Sequence, residues 1–174
     1  DLMATDALGR EWQLSTVQID FVQPERFDLT YTNEQGEKVR PVTIHRAIAG
    51  STERLMMILL EHFAGAMPNW LSPVQISIIP IGEKHNEYAK NIASELKKNH
   101  LRFELNDKNE TMQAKIRDAQ NQKIPYMLIM GDKEVENNTI SVRLRTGENV
   151  GVLKIDEIIS KIKENELTKG VVLW

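Results

Sequence analysis

At 174 residues the chain has room for one domain or two small ones, and its 41% hydrophobic and 27% charged residues are enough for a soluble core. No apolar run approaches the ~20 residues of a membrane helix. Residues 1–6 lack the basic and apolar regions of a secretory signal. The absence of cysteine excludes disulfides and thiol chemistry, as suits the cytoplasm.

Charge narrows the partners. A net charge of −3 argues against a general polyanion binder, DNA included. Residues 1–72 carry 6 Lys+Arg and 10 Asp+Glu, whereas residues 73–174 carry 16 and 15. Any RNA contact in the second part is therefore expected to be site-specific rather than an electrostatic coating.

In chain order, residues 12–21 are rich in aromatic and β-branched side chains and predict a strand. Residues 27–33 and 39–47 flank Asn33-Glu34-Gln35-Gly36-Glu37, which predicts a hairpin. Residues 52–64 predict a helix. Its apolar positions Leu55, Met56, Ile58, Leu59, Leu60 and Phe63 cover most of the circumference, so it is expected to be largely buried. The run Gly65-Ala66-Met67-Pro68-Asn69-Trp70-Leu71-Ser72-Pro73 stops the helix and restarts the chain in extended form. A domain boundary is expected there, dividing residues 1–72 from 73–174.

The second part alternates. Residues 74–81, 102–106 and 125–130 predict strands. Residues 86–99 and 111–122 predict helices, the first with Tyr88, Ile92, Ala93 and Leu96 inward. Residues 139–145 and 150–154 predict strands around Gly147, and 155–164 a closing helix. Such alternation implies a mixed, mostly parallel α/β/α domain with an antiparallel edge. The first part implies an antiparallel sheet with one helix, so the chain is α/β (α+β overall).

Two segments carry chemistry on local grounds. In Val42-Thr43-Ile44-His45-Arg46-Ala47-Ile48-Ala49-Gly50-Ser51-Thr52-Glu53-Arg54, Ser51 is a plausible N-cap and Arg54 falls in the first helical turn. A cation at that positive end is locally unfavourable unless an anion such as a nucleotide phosphate also comes there. A solvated arginine, or one paired with Glu53, is the plain alternative. His45 in its apolar strand is either a structural residue or a metal ligand. In Trp12-Gln13-Leu14-Ser15-Thr16-Val17-Gln18, Gln13 and Thr16 are three apart, so strict alternation puts them on opposite faces. For both to reach one ligand, the strand needs a bulge near Leu14-Ser15. The chain has no P-loop and no His-x-x-x-His.

The His45–Arg54 run resembles motif 3 of the class II aminoacyl-tRNA synthetases, and the His-Arg-Ala preface is similar to that of the threonyl enzymes. The resemblance extends from Asp6-Ala7-Leu8-Gly9-Arg10-Glu11-Trp12-Gln13 through Asp20-Phe21 and Pro24-Glu25-Arg26-Phe27. It implies that Arg54 contacts ATP, accompanied by magnesium, with Ser51 near the nucleotide. Gln13 and Thr16 would contact the adenylate, and Gln18 would lie by the amino-acid pocket. His45 would be one of three ligands to a zinc ion that holds the amino and hydroxyl groups of threonine. The other two, a cysteine and a histidine, lie upstream in the family; this chain has no cysteine, and His62, His85 and His100 do not match the second position. The second part resembles the anticodon-binding domain of the threonyl, prolyl, histidyl and glycyl enzymes, in which RNA loop bases are read by hydrogen bonds and stacking. Base-reading positions there match Asn109, Arg117, Glu134 and Arg143. Motifs 1 and 2 lie upstream in the family. The resemblance thus implies the C-terminal part of a homodimeric threonine–tRNA ligase, inactive alone. A non-catalytic anticodon-binding module and an accessory interaction protein are the alternatives.

Overall fold

The computed structural model describes residues 1–6 and 8–174 and divides them into two units, Asp1–His62 and Phe63–Trp174. Ala7, part of the 6–13 stretch noted above, lies outside the described residues.

The first unit contains a three-stranded antiparallel sheet of order β1-β2-β5, with β1 Leu2–Thr5, β2 Glu11–Asp20 and β5 Thr43–Ala47. A short helix, α1 Val22–Arg26, follows β2. A separate ribbon pairs β3 Tyr31–Thr32 with β4 Lys38–Val39. The hairpin lies where expected, but its strands are shorter. Pro41 has no N–H for a ladder and separates β4 from β5, and Asp28 turns the chain at φ 48° before β3. The Asn33 side chain shapes the tip, accepting the N–H groups of Gln35 at 3.0 Å and Glu37 at 2.8 Å.

Helix α2, Thr52–His62, ends within two residues of its expected end, but its environment differs from expectation. None of its residues is buried. Leu55, Ile58 and Leu59 are half-buried, whereas Met56, Met57 and Leu60 are exposed. A helix apolar around most of its girth needs cover on every side, and a three-stranded sheet cannot supply it. Across residues 1–62 only Ser15 and Pro24 are buried among the described residues.

The second unit is a three-layer α/β/α arrangement. Its five-stranded sheet has the order β10-β9-β8-β6-β7, formed by β6 Ile76–Pro80, β7 Phe103–Leu105, β8 Tyr126–Met130, β9 Ile140–Leu144 and β10 Asn149–Leu153. It is parallel at β7-β6-β8 and antiparallel at β8-β9-β10. The antiparallel edge therefore comes from the closing strands, as expected. β6 and β8 are buried along their whole length because helices cover both faces. Ile76 and Ile78 of β6, with Tyr126 and Leu128 of β8, meet α3 Asn86–Lys98 and α6 Ile155–Thr168 through Ala89, Ile92, Leu96, Ile158 and Ile162. On the other face Ile79, Met127 and Ile129 meet α4 Met112–Asn121 through Ile116 and Ala119. A short α5, Asp132–Asn137, follows β8.

The division falls ten residues before the Pro73 boundary expected from composition, because residues 63–72 are tied to the second unit. Arg145 donates to the carbonyls of Met67 (2.6 Å) and Ala66 (2.7 Å), and Lys123 to that of Ala64 (2.6 Å). Asn69 is fully buried and donates to the Ile162 carbonyl, while the buried Gln75 amide donates to Asn69 Oδ1 at 3.0 Å.

The contrast in burial predicts unequal local stability. Amide exchange of β6 and β8 should approach the slowest, globally limited rates, while β2 and β5 exchange by small openings many times faster. Equal protection of β2 and β8 by mass spectrometry or NMR would contradict this.

Candidate active-site wall and RNA-reading surface

β2 and β5 position the first cluster. Their register pairs Thr16 with Ala47, Gln18 with His45 and Asp20 with Thr43, so Thr16, Gln18, Asp20 and His45 share one face. The bulge needed to bring Gln13 to that face is present. Against β1, Gln13 opposes Met3 and Ser15 opposes Leu2, which leaves Leu14 as the extra residue. The shift reverses the in–out order, so Gln13 joins Thr16 while Trp12 and Leu14 turn to the other side. There, Trp12, Leu14 and Ile58 line a separate, mostly apolar cavity of about 440 Å³ that carries none of these polar groups.

The turn into α2 is built against the bulge. Gly50 has φ 59°, and a Cβ there would meet the carbonyl oxygens of Leu14 and Gln13 at 3.4 and 3.5 Å. Glycine is the residue that adopts this backbone at such close approach. Ser51 then caps α2, its Oγ accepting the Arg54 N–H at 3.2 Å and donating to Glu53 at 2.8 Å. These bonds hold the Glu53 carboxyl below its usual range, its own backbone N–H contributing most. Glu53 is thus engaged by Ser51 and not by Arg54. The Arg54 guanidinium is exposed and has no hydrogen bond or ion pair among the described residues. It is an unpartnered cation in the first turn of an 11-residue helix, where backbone N–H groups are also free.

Gln18, Asp20, Gln23 and His45 border a shallow pocket of about 490 Å³. His45 Nε2 donates to Asp20 Oδ2 at 3.0 Å. The other Asp20 oxygen accepts the N–H groups of Val22 (2.8 Å) and Gln23 (3.0 Å) at the start of α1. The Gln23 N–H, followed by His45, holds the Asp20 carboxyl below its usual range, so it acts as an acceptor. The sequence reading passed over Asp20 as a site residue. The available signal was its position two residues after Gln18, on the same face of the strand.

As a metal group, His45 fits one ligand position. It is an imidazole at the lip of a pocket, with one nitrogen engaged by a carboxylate. No cluster of three or more His, Cys, Asp or Glu side chains able to hold a metal occurs among the described residues.

The second cluster lies on the Phe63–Trp174 unit. Asn109 is exposed in the loop between β7 and α4, whose first turn is capped by Thr111 Oγ1 accepting the Ala114 N–H. Arg117 projects from α4, exposed and without a polar partner among the described residues. Glu134 on α5 is half-buried and accepts the Gly131 N–H at 2.9 Å. Arg143 on β9 pairs across the sheet with Met127, which puts it on the α4 face. Its Nε is buried with no partner. Asn109 and Glu134 follow the carboxyl ends of β7 and β8, whereas Arg143 lies beside the start of β8. The four residues therefore spread along the unit rather than converge on one pocket.

Comparison with known sequences agrees with this division. The family model described as anticodon binding domain matches residues 75–165. The chain belongs to the anticodon binding domain family. Ahead of this anticodon-binding domain, residues 1–63 match the family model of the tRNA synthetase class II core domain (G, H, P, S and T). Relatives named threonine–tRNA ligase match across both. That of a Sulfurihydrogenibium species is 55% identical over 164 residues, covering 94% of this chain and 26% of the relative. That of Aquifex aeolicus is 51% identical over 164 residues, with the same coverage. The chain thus spans about a quarter of the length of these curated relatives. The crystal structure of the RNA binding domain of threonyl-tRNA synthetase from Cryptosporidium parvum superposes with a TM-score of 0.84 at 38% identity. It covers 98% of this chain and 42% of that one.

Proposed function

We propose that the chain is the C-terminal part of a threonine–tRNA ligase, carrying one wall of the threonyl-adenylate site and the domain that reads the tRNA anticodon. The observation that carries the reading is the convergence of Gln13, Thr16, Gln18 and His45 on one face, with the unpartnered Arg54 at the adjoining helix start. Arg54 stabilises charge on the ATP phosphates, which magnesium accompanies, and Ser51 shapes the turn beside them. Gln13 and Thr16 hold the adenosine side of the adenylate, and Gln18 faces the amino acid.

A zinc ion would be held in part by His45, the other ligands coming from polypeptide beyond the described residues. When bound, it would engage the amino and hydroxyl groups of threonine. In the second unit Arg117 and Arg143 offer unpaired guanidinium groups to RNA, and Asn109 and Glu134 offer base-edge partners. The complete enzyme would work in the cytoplasm as a homodimer.

The purified 174-residue chain should give no threonine-dependent ATP–pyrophosphate exchange, since it supplies one wall only. It should nonetheless bind a threonine-tRNA anticodon stem-loop more tightly than one with a scrambled loop. Equal affinity for the two would remove the anticodon role, and measurable exchange would overturn the expected inactivity.

A further inference from the structure

We propose that Asp20 is a positioning residue for His45, fixing the imidazole tautomer so that Nδ1 is the nitrogen presented to the metal. This rests on the zinc reading above. A carboxylate only accepts, so the 3.0 Å contact places the ring proton on Nε2. A neutral imidazole carries one N–H, and Nδ1 is left with a lone pair. No hydrogen bond engages Nδ1 among the described residues. Metal-ligating histidines characteristically donate their second nitrogen to a carboxylate, which sets ring orientation and raises ligand basicity.

The carboxylate is itself held. Its Oδ1 accepts from Val22 and Gln23 at 2.8 and 3.0 Å, so the first turn of α1 aims Oδ2 across the β2–β5 ladder at His45. Helix α1 is therefore part of the site's support and not only a connection. This assignment also separates the two nitrogens chemically: one is anchored in the fold and the other is available.

Asp20→Asn is the informative variant. Its carbonyl oxygen can keep the α1 bonds, but its amide presents N–H to the ring. Nε2 must then accept, and the proton moves to Nδ1 and blocks the lone pair. In the 174-residue chain, at a pH where the ring is neutral, ¹⁵N shifts of His45 should show a pyrrole-type Nε2 and a pyridine-type Nδ1, reversed in the variant. In the full-length ligase containing this chain, Asp20→Asn should release zinc to a chelator roughly 10–100-fold faster. A wild-type ring with its proton on Nδ1 overturns the proposal whether or not the variant folds. So does an Asp20→Asn variant with unchanged tautomer and zinc release. Full zinc retention in His45→Ala gives a different answer, because it removes the zinc reading itself.

Discussion

Arg54→Ala in the full-length ligase proposed above should lower the rate of threonine-dependent ATP–pyrophosphate exchange by about 10²–10³-fold, the usual loss when one preorganised donor to developing charge is removed. The physical basis is the isolation of this side chain. Glu53 is engaged by Ser51, and no carboxylate or carbonyl in the described residues takes the guanidinium. A cation held without a partner at a helix start costs free energy unless a ligand offsets it. The loss should appear in kcat/KM for ATP, with stem-loop binding by the second unit unchanged. Arg54→Lys should recover only part of it, because an ammonium lacks the planar donor fork. Exchange within about threefold of wild type would leave the solvated-arginine alternative standing.

Leu128→Ala should destabilise the second unit by about 2–5 kcal/mol. Leu128 is fully buried at the centre of β8, between Ile78 of β6 and Val142 of β9, beneath the layer formed by α3 and α6. Both neighbouring strands are fixed by backbone ladders, so little of the cavity can collapse. Denaturant titration of the 174-residue chain should show the midpoint falling, and RNA binding should be lost with it. Val17→Ala, at a side chain 55% exposed, should change stability by no more than about 0.5 kcal/mol. A Leu128→Ala cost as small as that would contradict the core described for this unit.

The second unit was legible in the sequence because its signals are local and strong. The apolar runs that became β6 and β8 could hardly be anything but strands covered on both faces, and α3 presents Ile92 and Leu96 at helical spacing. In the first unit the Ser51 cap and the Leu14 bulge were both inferable, the bulge from the need to reconcile Gln13 with Thr16. What escaped was set by distant partners. Residues 63–72 look like a linker, yet Arg145 reaches Met67 and Ala66 from 78 and 79 positions away. The apolar circumference of α2 signalled a need for cover, but composition cannot say how much of that cover lies within the same 62 residues. The α1 helix has five residues and little periodicity to detect. Its signal was the Asp20 side chain capping Val22 and Gln23.

The extra residue at Leu14 makes strand length, and not only side-chain chemistry, a determinant of β2. Side-chain replacements there act one at a time, whereas deletion of Leu14 would restore simple alternation. Gln13 would then stand two residues before Thr16 and keep its face, still opposite Met3, while Thr16, Gln18 and Asp20 stayed in register with β5. The stretch should therefore tolerate loss of Leu14 better than a single-residue insertion or deletion within Thr16–Asp20, which breaks the register with β5. A frame-preserving indel scan across residues 11–20 should find deletion better tolerated at position 14 than within residues 16–20.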